Sequence, residues 1–231
     1  MLTVTDLTLH YGQSQILYGV NLVAEPGQVT AVMGTNGVGK TSLLKAIAGR
    51  HPFSGGALAV DGTSLTKPTA FQAARAGIAY VPQGREVFPL MTVEENLEAG
   101  FACLPKDQHS IPDRIYDLFP VLKDMKARRG GDLSGGQQQQ LAIARALITQ
   151  PRVLLLDEPT EGIQPNIIKQ IGQVISQLRD EGEIAIVLVE QFFDFAYGLA
   201  DRFVAMSRGE VVLSDIKANV DRETLLSKVS I

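Results

Sequence analysis

Apolar and polar positions along the chain alternate between two textures. Residues 78–81, 153–156, 184–189 and 203–206 are near-continuous apolar runs. Such runs suit strands buried on both faces of a parallel sheet. Residues 2–10 instead alternate apolar with polar, the period of an antiparallel strand with one face open to water. Residues 29–33 form a short apolar run that ends at a glycine-rich loop, and residues 57–61 followed by Gly62 read as a strand and turn. Helical spacing appears between these runs. Residues 41–48 place Leu43, Leu44, Ile47 and Ala48 on one face, with Gly49 as the stop. Pro165 opens a longer helix whose inner face carries Ile167, Ile171, Val174, Ile175 and Leu178, and Gly182 follows it. Strands alternating with helices predict an α/β fold with a mostly parallel sheet.

From about residue 86 to residue 150 the strand signals stop. Thr92-Val93-Glu94-Glu95 is a capping box opening one helix, residues 111–119 read as a second and residues 134–149 as a third. This stretch reads as a helical subdomain inserted in the α/β core. The glutamine run at 137–140 falls inside the third pattern and is expected on the helix surface. The tail from 216 to 231 carries one amphipathic pattern, Leu225, Leu226 and Val229, expected to pack on the core. No internal repeat is evident.

Composition narrows the class. The 231 residues are 45% apolar and 20% charged, ordinary for a globular domain with a sizeable core. No stretch approaches the roughly 20 apolar residues that a membrane-spanning helix needs, and the first residues lack the pattern of a signal peptide. A net charge of −4 without a basic cluster argues against nucleic acid as the main partner. The lone Cys103 and three dispersed histidines, His10, His51 and His109, give neither a disulfide nor zinc spacing. The expected compartment is the cytosol.

The chemistry starts at Gly34-Thr35-Asn36-Gly37-Val38-Gly39-Lys40-Thr41, which follows a strand signal and opens a helix. That context is the one a phosphate-binding loop requires. Glycines let successive backbone N–H groups face phosphate oxygens, and the helix start adds its positive end. Lys40 is placed to reach the β- and γ-phosphates, Thr41 to ligate Mg²⁺, and Ser42 to add a hydroxyl. The apolar run at 153–156 ends in Asp157 and Glu158, two acids delivered to a sheet edge. Neighbouring strand residues face opposite ways, so Asp157 suits Mg²⁺ and Glu158 suits polarising a water molecule.

With Leu133-Ser134-Gly135-Gly136-Gln137 added, the chain resembles the nucleotide-binding subunits of ABC transporters over its whole length, its motifs standing in that family's order. The resemblance implies a P-loop NTPase cassette over residues 1–231, with a mostly parallel sheet core, an antiparallel β subdomain and the helical insertion. It implies ATP and Mg²⁺ as ligands. It makes Ser134, Gly135, Gly136 and Gln137 the signature that contacts ATP held by a second ATPase subunit, different in the cell and identical in isolation. Ser134 suits an N-cap, and the two glycines allow close approach of a phosphate. It gives Tyr11 an adenine-stacking role, and Gln83 contact with Mg²⁺ and the attacking water. The chain departs from the family twice: Gln164 stands where an aspartate is usual, and Gln191 where the switch histidine is usual. Glutamine still hydrogen-bonds a γ-phosphate but carries no positive charge.

The resemblance further implies peripheral attachment to the cytoplasmic face of the membrane through permease subunits, with Arg85, Val87 and Phe88 as the contacts. No residue is expected to touch the solute. Glutamine at the switch and Pro82-Gln83-Gly84-Arg85-Glu86-Val87-Phe88-Pro89 resemble the branched-chain amino acid and urea importer group. Four stretches favour the shorter ATP-binding subunit of bacterial urea importers: Arg128-Arg129-Gly130-Gly131-Asp132, the four glutamines, Glu161-Gly162-Ile163-Gln164-Pro165, and the run from Val189 to Ala196. A branched-chain amino acid or short amide importer is the alternative. A ribosome- or DNA-associated ABC protein would need tandem cassettes, a coiled coil or a basic arm. A GTPase would need an Asn-Lys-x-Asp motif. Neither set of features is present.

Overall fold

The computed structural model describes residues 1–229; Ser230 and Ile231, at the end of the tail pattern, lie outside the described residues. In chain order the elements are β1 (Leu2–Tyr11), β2 (Ser14–Ala24), β3 (Val29–Met33), α1 (Lys40–Ile47), β4 (Gly55–Val60), β5 (Thr63–Ser64), α2 (Ala70–Arg75), β6 (Ile78–Val81), α3 (Val93–Glu98), α4 (Asp113–Leu118), α5 (Pro120–Asp124) and α6 (Gly135–Ile148). They continue with β7 (Val153–Asp157), α7 (Pro165–Asp180), β8 (Ala185–Val189), α8 (Phe193–Leu199), β9 (Arg202–Ser207), β10 (Glu210–Ile216) and α9 (Arg222–Val229).

Two sheets form. A six-stranded sheet has the order β10-β9-β3-β8-β7-β6, and a four-stranded sheet the order β2-β1-β4-β5. In the larger sheet β9, β3, β8, β7 and β6 run parallel, while β10 joins its edge antiparallel. Every residue of β3, β7 and β8 is buried, as the unbroken apolar runs predict for strands covered on both faces. The smaller sheet is antiparallel throughout. The alternation in β1 breaks at Asp6, which takes φ 48° where the register against β2 and β4 shifts.

One cluster of buried side chains fills the space between the two sheets and α1. A second lies between the large sheet and α6 and α7, extending to α3, α4 and α5. On α7, Ile171, Val174, Ile175 and Leu178 are buried, and Ile167 packs so near Gly136 that a Cβ there would sit 3.0 Å from it. A third, smaller cluster joins β9 to α8 and to Val220 and Leu225 of the tail.

One expectation is corrected. Only half of the glutamine run is helix surface: Gln137 and Gln138 are partly exposed, but Gln139 and Gln140 are 3% and 4% exposed, and the Gln140 amide donates to Gln170 on α7 at 2.9 Å. Contact with α7 therefore outweighs the polar reading at the end of that run. Arg85 is half-buried. It takes φ 72° and donates to the Glu161 carbonyl at 3.2 Å, with its guanidinium against Gly135. Val87 is partly buried against the core, and Phe88 is 46% exposed beneath the Arg145 guanidinium.

Candidate active site

Sheet order decides which loops meet. The strands β3, β8, β7 and β6 lie side by side and parallel, so the loops leaving their carboxyl ends form one row. Those loops begin at Gly34, Glu190, Glu158 and Pro82. Residues far apart in sequence thereby become neighbours.

The loop after β3 curls as its glycines allow. Gly34, Gly37 and Gly39 take φ 151°, 81° and 105°. A Cβ on Gly34 would stand 2.3 Å from the Met206 carbonyl oxygen, so that position admits only glycine. Thr35, Asn36 and Gly37 are exposed, whereas Val38 anchors the loop in the core. Lys40 opens α1, is 4% exposed, and donates to the carbonyls of Gly34 and Thr35 at 2.8 and 3.0 Å. Burial lowers its pKa, and Glu158, Asp157 and Glu190 oppose that shift by their charge. Ser42 is half-buried in the first turn of α1.

Asp157 closes β7 and is 1% exposed. The Thr41 hydroxyl donates to its Oδ1 at 3.1 Å and the Tyr80 hydroxyl to its Oδ2 at 2.9 Å. Burial pushes the Asp157 carboxyl above its usual range, partly offset by those two hydrogen bonds. Burial and the neighbouring carboxylate likewise push the Tyr80 phenol well up, so it stays a donor. Glu158, one residue on, takes φ 49° and is 9% exposed. A left-handed conformation in a non-glycine residue costs on the order of 1–3 kcal/mol and persists where the surroundings impose it. Here Gln83 donates to Oε2 at 3.2 Å and Gln191 to Oε1 at 2.7 Å.

Lys40, Thr41, Asp157, Glu158, Gln83 and Gln191 thus converge. Of the three residues expected at Mg²⁺, Thr41 and Asp157 are joined directly. Gln83 is held instead by Glu158 and by Glu161 at 3.1 Å. No group of three or more His, Cys, Asp or Glu side chains suited to a metal occurs among the described residues. The Thr41 and Asp157 oxygens fit a hard cation that completes its shell with phosphate and water. The local charge agrees, since the charges of Glu158, Asp157 and Glu190 all act on the one Lys40 ammonium.

Two expected groups stand apart. Tyr11 ends β1 and is 41% exposed, its ring packed at 4.3 Å between centroids on His51. Ser134 caps α6 in a capping box with Gln137, and no hydrogen bond among the described residues joins that turn to the chain's own phosphate loop. Ser134 is exposed and Gly136 buried. Gln164, at the N-cap of α7, makes no side-chain cap bond. Sequence reasoning missed Tyr80 and Glu190. The available signal was position: a hydroxyl and an acid near the carboxyl ends of buried strands.

Comparison with known proteins places these features in context. The family profile described as "ABC transporter" matches residues 17–161. The high-affinity branched-chain amino acid transport ATP-binding protein BraG of Pseudomonas aeruginosa is 40% identical over 219 residues, 94% of each chain. The probable branched-chain amino acid transport ATP-binding protein LivF of Archaeoglobus fulgidus is 37% identical, over 93% of this chain and 91% of that one. In fold, a nucleotide-free ATP-binding cassette from an ABC transporter matches with a TM-score of 0.84 at 24% identity, over 100% of this chain and 95% of that one. A dimeric cassette in a post-hydrolysis state, bound to ADP and Pi, matches with a TM-score of 0.83 at 24% identity, over 94% and 99%.

Proposed function

The chain belongs to the ABC transporter family, and on that premise we propose that it is the ATP-hydrolysing subunit that powers a solute importer. The observation that carries the reading is the bracketing of Glu158 by Gln83 and Gln191, beside a phosphate loop with a buried lysine. Glu158 is the general base: its carboxylate accepts a proton from water while the two glutamine amides fix its direction. Lys40 leaves its carbonyl partners for phosphate oxygens and balances charge developing on the transferred group. Mg²⁺, held by Thr41 and Asp157, would neutralise phosphate charge. Gln191 senses the γ-phosphate by hydrogen bonding.

Two cassettes pair head to tail, with ATP between the phosphate loop of one and Ser134 to Gln137 of the other; Tyr11 stacks on adenine. The exposed Ser134 turn, free of its own phosphate loop, supports a site completed by a second subunit. ATP favours closure because its γ-phosphate bridges both faces, and ADP lacks that bridge. No helix among the described residues is long and apolar enough to cross a membrane. Coupling to permease subunits on the cytoplasmic face therefore runs through protein contacts, from Gln83 to about Leu90.

For the solute we put urea first, on the four stretches quoted above. The second reading is a branched-chain amino acid, supported by relatives of that printed activity at 40% and 37% identity. Uptake of labelled urea and labelled leucine, in source cells with and without the chain, separates them. Loss of urea uptake alone, restored by the parent but not by Lys40→Ala, is expected. Loss of leucine uptake instead overturns the urea reading and leaves the ATPase intact.

A further inference from the structure

β8 ends at Val189, and the next residue is a carboxylate in the interior. Glu190 is 2% exposed. Its Oε1 accepts the backbone N–H of Thr160 at 3.0 Å. Its Oε2 accepts the backbone N–H of Gln191 at 3.0 Å and of Phe192 at 3.2 Å. Thr160 follows Glu158 by two residues, and Gln191 carries the amide that reaches Glu158. One side chain therefore holds both turns from which the Glu158–Gln191 pair is built.

The chemistry demands a carboxylate. All three partners are donors, and each oxygen serves a different turn. Burial opposes the charge and raises the Glu190 pKa, while the N–H donors pull it back. A glutamine offers one acceptor and one NH₂, so it satisfies one turn and sets donor against donor at the other. Glu158 is in the left-handed region at φ 49°, a conformation that the surrounding turns must impose.

We propose that Glu190 is a positioning residue for hydrolysis, a clasp between the turn after β7 and the turn after β8 that keeps Gln191 directed at Glu158. It contacts no reacting atom and acts through that pair. The inference rests on the ATPase reading above.

The test is steady-state phosphate release by the full chain with ATP and Mg²⁺. In Glu190→Gln the expected result is a kcat lower by about tenfold or more with KM for ATP within about threefold, because all three Glu190 hydrogen bonds go to turns outside the phosphate loop and its charge is the smallest of the three acting on Lys40. In a Gln191→Ala background, Glu190→Gln should change kcat by less than about twofold, since both remove one interaction. If Glu190→Gln does not accumulate folded, Glu190→Thr is read in its place, its hydroxyl serving one turn only. Parental hydrolysis no faster than that of Lys40→Ala sinks the ATPase reading and the inference with it. Parental hydrolysis with an unchanged Glu190→Gln kcat, a rise in KM alone, or additive losses in the double variant overturns the inference alone.

Discussion

Gln191→Ala removes a single contact from the centre of the site. The Gln191 amide donates to Glu158 Oε1 at 2.7 Å and makes no hydrogen bond to Lys40 or Thr41. A hydrogen bond to a charged group contributes about 1.5–3 kcal/mol. At about 1.4 kcal/mol per decade the whole range spans roughly 10- to 150-fold in rate. Gln191 is exposed, so water replaces part of the lost contact, and the lower end, about 10- to 30-fold in kcat, is expected. KM for ATP should stay within about threefold, because the loop that holds the phosphates keeps its own partners. Stability should move by no more than about 0.5 kcal/mol for an exposed side chain. Phosphate release against ATP concentration, with a thermal melt of each protein, reads all three quantities. An unchanged kcat, or a loss confined to KM, refutes the role of Gln191 in orienting Glu158.

Two further outcomes follow from the Asp157 hydrogen bonds. Tyr80→Phe deletes the 2.9 Å bond to Oδ2 and should raise the Mg²⁺ concentration for half-maximal ATPase by about tenfold, the usual scale for losing support behind a metal ligand; an unchanged Mg²⁺ titration refutes it. Asp157→Asn should abolish hydrolysis yet raise the melting temperature of the nucleotide-free protein. Burial holds the Asp157 pKa above its unfolded value, so at neutral pH the charged form is less favoured in the folded state and the charge opposes folding. A lower melting temperature for Asp157→Asn contradicts that sign.

Much of the architecture was legible in the chain. The apolar runs mark β6, β7, β8 and β9 within a residue or two, and the amphipathic stripe after Pro165 marks α7. The phosphate loop announces itself because its glycines answer a backbone requirement that few other residues meet. Other elements hid for physical reasons. β2 buries alternate residues from Val20 to Ala24, but its sequence hides that period, because the exposed Val23 is apolar like its neighbours and Gly19, at φ 75°, interrupts the strand. β10 takes its strand form from pairing with β9 rather than from an apolar run. Within the site, Gln83 and Gln191 were readable as candidates, but their meeting on Glu158 depends on strand order. Tyr80 lies 77 residues from Asp157, and Glu190 lies 30 from Thr160. Nothing local to Arg85 signals its hydrogen bond to the Glu161 carbonyl, 76 residues on.

The central claim is that Glu158 activates water for ATP held between two cassettes, and Glu158→Gln tests it most directly. Light scattering of the variant with ATP and Mg²⁺, alongside phosphate release, gives both readings from one sample. The account predicts a doubled mass with ATP and not with ADP, and hydrolysis at least about 100-fold slower than the parent. Hydrolysis at the parental rate, with the mass unchanged by ATP, would contradict it.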